Sequence, residues 1–358
     1  MKILDWYILK RFLSTFFFVV LLLIAIIVVI DITEKNDDFI KSGLPWTKIL
    51  KEYYLNFIPY IANMVSPLMI FIATVFITAR MASHTEIVAM LSSGISFPRL
   101  LVPYIIGSVM IAILTFFLIG WVIPQANKKR VAFENQYVKN KYFYEGRDVH
   151  LKIAPNTYAY MESYNNDINA GYHFSLETIV GSELKSKLKA NKITWQPDKK
   201  SWNMEFYQLR TFEGNKETWS NGTNKDTVLE LTPKDFESKY LLHETFTLDE
   251  LNKHINLLRD RESENVQAYL TEKYERYNYP FAVIILTIIG VIVSAKKSRE
   301  GAGFQIAFGF VLAFVYIIFV IMSRSFAQIG GMGPLLASWL PNIVFSFIGV
   351  VMYKTVPR

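Results

Sequence analysis

The five histidines, His84, His150, His173, His243 and His254, include no pair at metal-ligand spacing, and the chain has no cysteine to complete such a site. The missing cysteines also exclude disulfides and a thiolate nucleophile. No GxSxG elbow and no GxxxxGK[ST] phosphate loop occurs; Gly290 to Ser298 comes nearest but lacks the second glycine. The chain is therefore not expected to bind ATP by itself. Carboxylates such as Glu145, Asp148 and Glu162 fit a solvated face as well as they fit general acid–base work. An enzyme, a metal and a cofactor are all unexpected. What remains is a set of basic residues at the ends of apolar stretches, Lys35, Lys41, Lys128 to Arg130 and Arg324, and one short polar-framed segment, Ser83 to Pro98.

The elements that must position these residues are membrane spans. Of 358 residues 52% are apolar and 15% aromatic, too many for an ordinary soluble protein, yet the middle of the chain is polar. Phe12 to Ile30 carries no charge, follows Lys10 and Arg11 and is not succeeded by a small-residue cleavage site, so it reads as an uncleaved anchor. Further spans are expected at about Phe57 to Ala79, Leu100 to Ile123, Pro280 to Ala295, Phe304 to Ser323 and Pro334 to Tyr353. The formal charge of +7 comes without an arginine-rich nucleic-acid helix, and nucleic acid is not an expected partner.

Between the third and fourth spans, TYAYMESY, GYHFSLETIV, KITWQ, SWNMEFYQLRTF and TVLEL alternate with period two and are separated by turn formers. The pattern predicts an antiparallel all-β sandwich or barrel and leaves strand order open. Thr247 with Glu250 reads as a capping box that starts a helix leading into the fourth span. The predicted organisation is residues 1–124 with three spans, 125–246 as the β domain, and 247–358 with a connecting helix and three spans.

In the short segment, Ser83 and Glu86 have the spacing of a capping box, and Ile87, Met90, Leu91 and Ile95 form a narrow helical stripe. Gly94 offers a left-handed stop with Pro98 beyond it. A helix over 83–94 is too short to span and should lie at a membrane surface. Lys2, Lys10, Arg11, Arg80, Arg99, Lys296, Lys297, Arg299, Lys354 and Arg358 all fall on its side, which the positive-inside rule makes cytoplasmic, with both termini. The β domain is then outside.

Four motifs carry a resemblance over nearly the whole chain: EIVAMLSSGIS at Glu86 to Ser96, SKLKANKITW at Ser186 to Trp195, REGAGF at Arg299 to Phe304, and GPLLASWLPN at Gly333 to Asn342. With the order of three spans, domain and three spans, the chain resembles the LptF/LptG (YjgP/YjgQ) permeases of the lipopolysaccharide exporter. The resemblance implies an α-helical membrane protein with six transmembrane helices and an inserted periplasmic β-jellyroll-like domain, in the inner membrane of a Gram-negative bacterium. It implies a transporter subunit that extracts lipopolysaccharide from the outer leaflet. The implied partners are a cytoplasmic LptB-type ATPase dimer, a second LptF/LptG-type permease, an LptC-type single-span protein and an LptA-type periplasmic bridge. Glu86, Ala89, Met90 and Gly94 match the coupling helix that sits in the ATPase. Lys35, Lys41, Lys128, Arg130 and Arg324 fall where head-group contacts follow each span, and a phosphate leaving water requires such charge.

Two other readings compete. A mechanotransmitting ABC permease, for lipoprotein release or another periplasmic process, usually places its outer domain after the first span, whereas here it follows the third. A membrane-anchored sensor or enzyme predicts no docking at the short helix. Whether the chain is of LptF or LptG type, with what it pairs, and the head-group chemistry are not legible in the residues.

Overall fold

The computed structural model describes residues 3–138, 144–214, 216–237, 241–262, 266–295 and 302–354. Lys2, Lys296, Lys297, Arg299 and Arg358, counted for the orientation, and positions 299–301 of REGAGF lie outside the described residues. The chain divides into a helical unit, 1–138 with 243–251 and 267–358, and a β unit, 139–242 with 252–266.

Among the described residues the helical unit contains six helices long and apolar enough to cross a membrane: α1 (Ile3–Ser42), α2 (Trp46–Ser83), α4 (Phe97–Val138), α6 (Val266–Ser294), α7 (Gly303–Gln328) and α8 (Pro334–Tyr353). The short α3 (Glu86–Ser92) joins α2 to α4, and α5 (Leu248–Asp260) precedes α6. All six predicted spans are present, and most run well past the apolar stretch that announced them. α4 continues beyond Pro124 because a π-helical turn over Leu118–Val122 widens the backbone where the proline lacks a donor and would crowd the preceding turn. A second π-turn, Leu50–Tyr54, opens α2 ahead of Pro59. α1 has neither proline nor glycine. Its approach to α4 is set by Gly107, where a Cβ would come within 2.7 Å of the Phe12 ring and 2.9 Å of Leu9.

The capping box at Thr247 forms as expected: Thr247 N–H donates to Glu250 Oε2 at 2.9 Å and Glu250 N–H to Thr247 Oγ1 at 3.3 Å. The one expected at Ser83 does not. α2 continues through Ser83, whose hydroxyl donates back to the Arg80 carbonyl at 2.8 Å, and α3 starts after Thr85 in a left-handed conformation at φ 60°. The residues that would have made the box are already inside one helix and at the first position of the next.

Among its described residues the β unit has one antiparallel sheet of seven strands, β1 (Val149–Ala154), β2 (Thr157–Met161), β3 (Ser163–Asn165), β4 (Ala170–Val180), β5 (Glu183–Gln196), β6 (Ser201–Glu213) and β7 (Lys216–Thr227). The order is β1-β2-β4-β5-β6-β7, with β3 also paired to β4, which supplies the strand order that the pattern left open. The inserted all-β domain between the third and fourth spans is as predicted. Its core is built on Trp202, Phe174, Ile193, Met204 and Phe236, and the Trp202 indole is satisfied by the Leu231 carbonyl at 2.8 Å. Of TVLEL only Thr227, the last residue of β7, is in a strand, yet its Leu231 is fully buried in that core.

Candidate functional site

Two clusters of polar side chains occupy opposite ends of the helical unit. The first gathers the ends of α1, α2, α4, α6 and α7. Asp31 is buried and accepts from Tyr53 at 3.2 Å, Tyr54 at 3.1 Å and Lys35 at 2.8 Å. The Lys35 ammonium also bonds the Tyr53 hydroxyl and lies 3.5 Å from Glu134 Oε1. Arg130, 4% exposed, reaches Glu134 and Glu244 at 3.4 Å each, takes Asn127 Oδ1 at 3.1 Å, and lies 4.2 Å above the Tyr60 ring. The turn Leu242–Thr245 links this to α6, because Arg276 donates to the carbonyls of His243 at 3.0 Å and Phe246 at 2.6 Å while pairing with Glu272 at 2.8 Å. Arg324 closes the set with Glu275 at 3.1 Å, Glu272 at 3.5 Å and His243 Nε2 at 3.4 Å.

Each of the four cations, Lys35, Arg130, Arg276 and Arg324, thus has at least one carboxylate among Asp31, Glu134, Glu244, Glu272 and Glu275. Burial is the reason. A charge away from water is tolerated only when paired, and removing one partner from a buried pair typically costs about 3–5 kcal/mol. Burial, reinforced by Glu272, pushes the Glu244 carboxyl up to about 7 against the pull of Arg130, Arg324 and Arg276. Burial also holds His243 below the usual imidazole range, and it outweighs the opposing effect of Glu272.

The structure therefore brings together three of the predicted head-group residues, Lys35, Arg130 and Arg324, but with partners already in hand. Of these, Arg324 keeps 35% of its side chain exposed against 5% for Arg130 and 18% for Lys35. Lys128 is apart from them, half exposed and paired with Glu250 at 2.7 Å. Lys41 lies at the end of α1, exposed and without an ion pair among the described residues. The acidic half of the cluster was not predicted, although Asp31/Lys35, Arg130/Glu134 and Glu272/Arg276 are each four residues apart, the spacing that stacks two side chains on one helix face.

At the opposite end lies α3. Ile87 is buried, and Met90 and Leu91 pack on the large helical core. The predicted stripe is real, but it faces the chain's own bundle and is not offered outward. The exposed side presents Val88, Ala89, Ser92 and Ser93. Gly94, at φ 87°, ends the helix as expected: its N–H bonds the Leu91 carbonyl at 3.0 Å and the Ile95 N–H reaches Met90 at 3.2 Å. Glu86 points to α1, where its Oε2 accepts from the Tyr7 hydroxyl at 3.2 Å and its Oε1 lies 3.6 Å from Arg11. Asp5, buried in the same end of α1, pairs with Arg99 at 2.7 Å.

Six apolar helices with an all-β unit inserted after the third define a multi-pass membrane protein, with one ionised cluster at one end of its bundle and a short surface helix at the other. The family profile described as lipopolysaccharide export system permease LptF/LptG matches residues 6–355, nearly the whole chain. The chain belongs to that family and is a membrane subunit of a lipopolysaccharide export transporter, not itself an enzyme. No curated protein matches it significantly.

Proposed function

We propose that this chain is a permease half of an ABC exporter that takes lipopolysaccharide from the outer leaflet of the inner membrane and passes it to a periplasmic bridge, driven by a separate cytoplasmic ATPase dimer. A second permease of the same family completes the membrane part, with an LptC-type single-span protein and an LptA-type bridge on the outer side. In this reading the α3 end and both termini are cytoplasmic, the Arg324 end lies at the outer interface, and the β unit is periplasmic. The observation that carries the reading is α3 itself: a seven-residue helix, anchored to the bundle by Ile87, Met90 and Leu91, whose free face is made of small side chains a partner can approach closely. Glu86, Ala89, Met90 and Gly94 are assigned to coupling. Glu86→Ala should insert normally and lose ATPase in a pull-down from native membranes; normal recovery together with normal lipid-stimulated turnover removes that role.

The head group is assigned to Arg324 first, with Lys41 and Lys128 at the rim and Lys35 and Arg130 behind. A lipid phosphate reaching Arg324 competes with Glu272 and Glu275 for the same guanidinium, so binding exchanges one charge-assisted pair for another. In the reconstituted complex, Arg324→Gln should weaken lipid stimulation of ATP turnover about tenfold, the scale of one charged hydrogen bond. Stimulation at the wild-type lipid concentration dependence would count against the assignment.

A further inference from the structure

The two clusters are joined by α1, and the joint at its N-terminal end is specific. Tyr7 and Arg11 stand four apart on one face of α1 and both engage Glu86, the first residue of α3: Tyr7 donates to it at 3.2 Å, Arg11 lies 3.6 Å from it, and Arg11 also donates to the Tyr7 hydroxyl at 2.5 Å. The Arg11 guanidinium sits 5.5 Å from the Tyr7 ring centre, so the pair is packed as well as charged. α3 has no side-chain cap, and the partly exposed Glu86 carboxylate contacts α1. Arg99 on Asp5 ties the same end of α1 to α4.

From this joint α1 runs unbroken from Ile3 to Ser42. Among the six spans it alone has neither proline nor glycine: α2 contains Pro59 and Pro67, α4 Pro103 and Gly107, α6 Pro280 and Gly290, α7 Gly309, and α8 Pro341 and Gly349. α2 and α4, the spans directly continuous with α3, also carry π-turns. Helices bend at prolines, glycines and π-turns, so the covalent routes out of α3 are the compliant ones. The stiff route is the noncovalent one through Glu86. Arg11 and Lys35 are separated by ~36 Å at the helical rise, and Lys35 with Asp31 belongs to the cluster at the far end.

We propose that Tyr7 and Arg11 are positioning residues that join α3 to α1, so that displacement of α3 moves α1 as a rod and shifts Asp31 and Lys35 against Glu134. This rests on the reading of α3 as the ATPase dock, and the test separates the two. In the reconstituted complex, Arg11→Gln should leave ATPase recovery and basal ATP turnover unchanged while lowering lipid released per ATP hydrolysed about fivefold, the lower end of typical coupling between sites. Arg11→Lys, which keeps the charge, should recover most of the loss. An unchanged ratio in Arg11→Gln, or loss of ATPase recovery in it, overturns the proposal; a wild-type chain that recovers no ATPase overturns the docking reading instead. The joint has a readout that does not involve the ATPase. Because the chain lacks cysteine, spin labels at Lys10→Cys and Ser92→Cys report only the α1–α3 distance. A distribution that broadens in the Tyr7→Phe/Arg11→Gln double variant supports the joint, and one that stays as narrow as in the unaltered background refutes it.

Discussion

Glu244 is the residue at which pH should act on the folded chain. Its carboxyl is raised from the ordinary range to about 7, so the folded state holds a proton that the unfolded state releases between about 4.5 and 7. Its contribution to stability is therefore full at acid pH and is lost as pH rises through about 7. His243 works in the other direction: its depressed value favours the folded state as pH rises toward the ordinary imidazole value. The charged groups facing Glu244 are Arg130 from α4, Glu272 and Arg276 from α6, and Arg324 from α7. In Glu244→Gln the side chain stays neutral, and the difference in apparent unfolding temperature, wild type minus variant, should be larger at pH 5.5 than at pH 8. A difference that does not vary with pH would show that Glu244 is charged throughout. The basic members of this cluster were legible in the sequence because cations at span ends stand out. The acids were harder to assign, since a carboxylate beyond a span is ordinary until burial is known. Glu134 and Glu244 become partners of one arginine only when α4 and the 242–245 turn are in place.

At the scale of elements, the tightest constraint is the approach of α1 to α4. Phe12 is fully buried, so the ring that meets Gly107 has nowhere to go. Gly107→Ala should lower stability by about 1–3 kcal/mol, the usual cost of overpacking, whereas Gly303→Ala, with nothing within 4 Å of its added Cβ, serves as a neutral control. Thermal unfolding in detergent compares the two, and equal midpoints would mean that α1 and α4 separate without cost. The span positions were readable from hydropathy, and so was the stripe on α3. Its direction was not. Periodicity identifies which face is apolar but not what covers it, and a helix between two spans has its own bundle as the nearest cover. Ser83 misled for a related reason: capping spacing signals a helix start only where the preceding residues are not already helical.

Over the whole molecule, alternation located most of the sheet and failed where burial on one face fails. β7, KETWSNGTNKDT, is exposed almost throughout as the last strand of the path, so no apolar period marks it. From β4 to β7 each strand pairs with the next in sequence, whereas β4 pairs with β2 past the short β3, as in Tyr160 with Ser175, a step that alternation alone does not encode. The ion pairs of the helical unit also have an order along the chain. Lys35 has Asp31 four residues before it, Arg130 has Glu134 four residues after it, Arg276 has Glu272 four residues before it, and Arg324 answers to acids on the preceding span. As the polypeptide leaves the ribosome, each of these cations emerges with or after its counter-ion, or within a helical turn of it. None of these four cations has to wait in the bilayer for an acid on a distant segment still to be made.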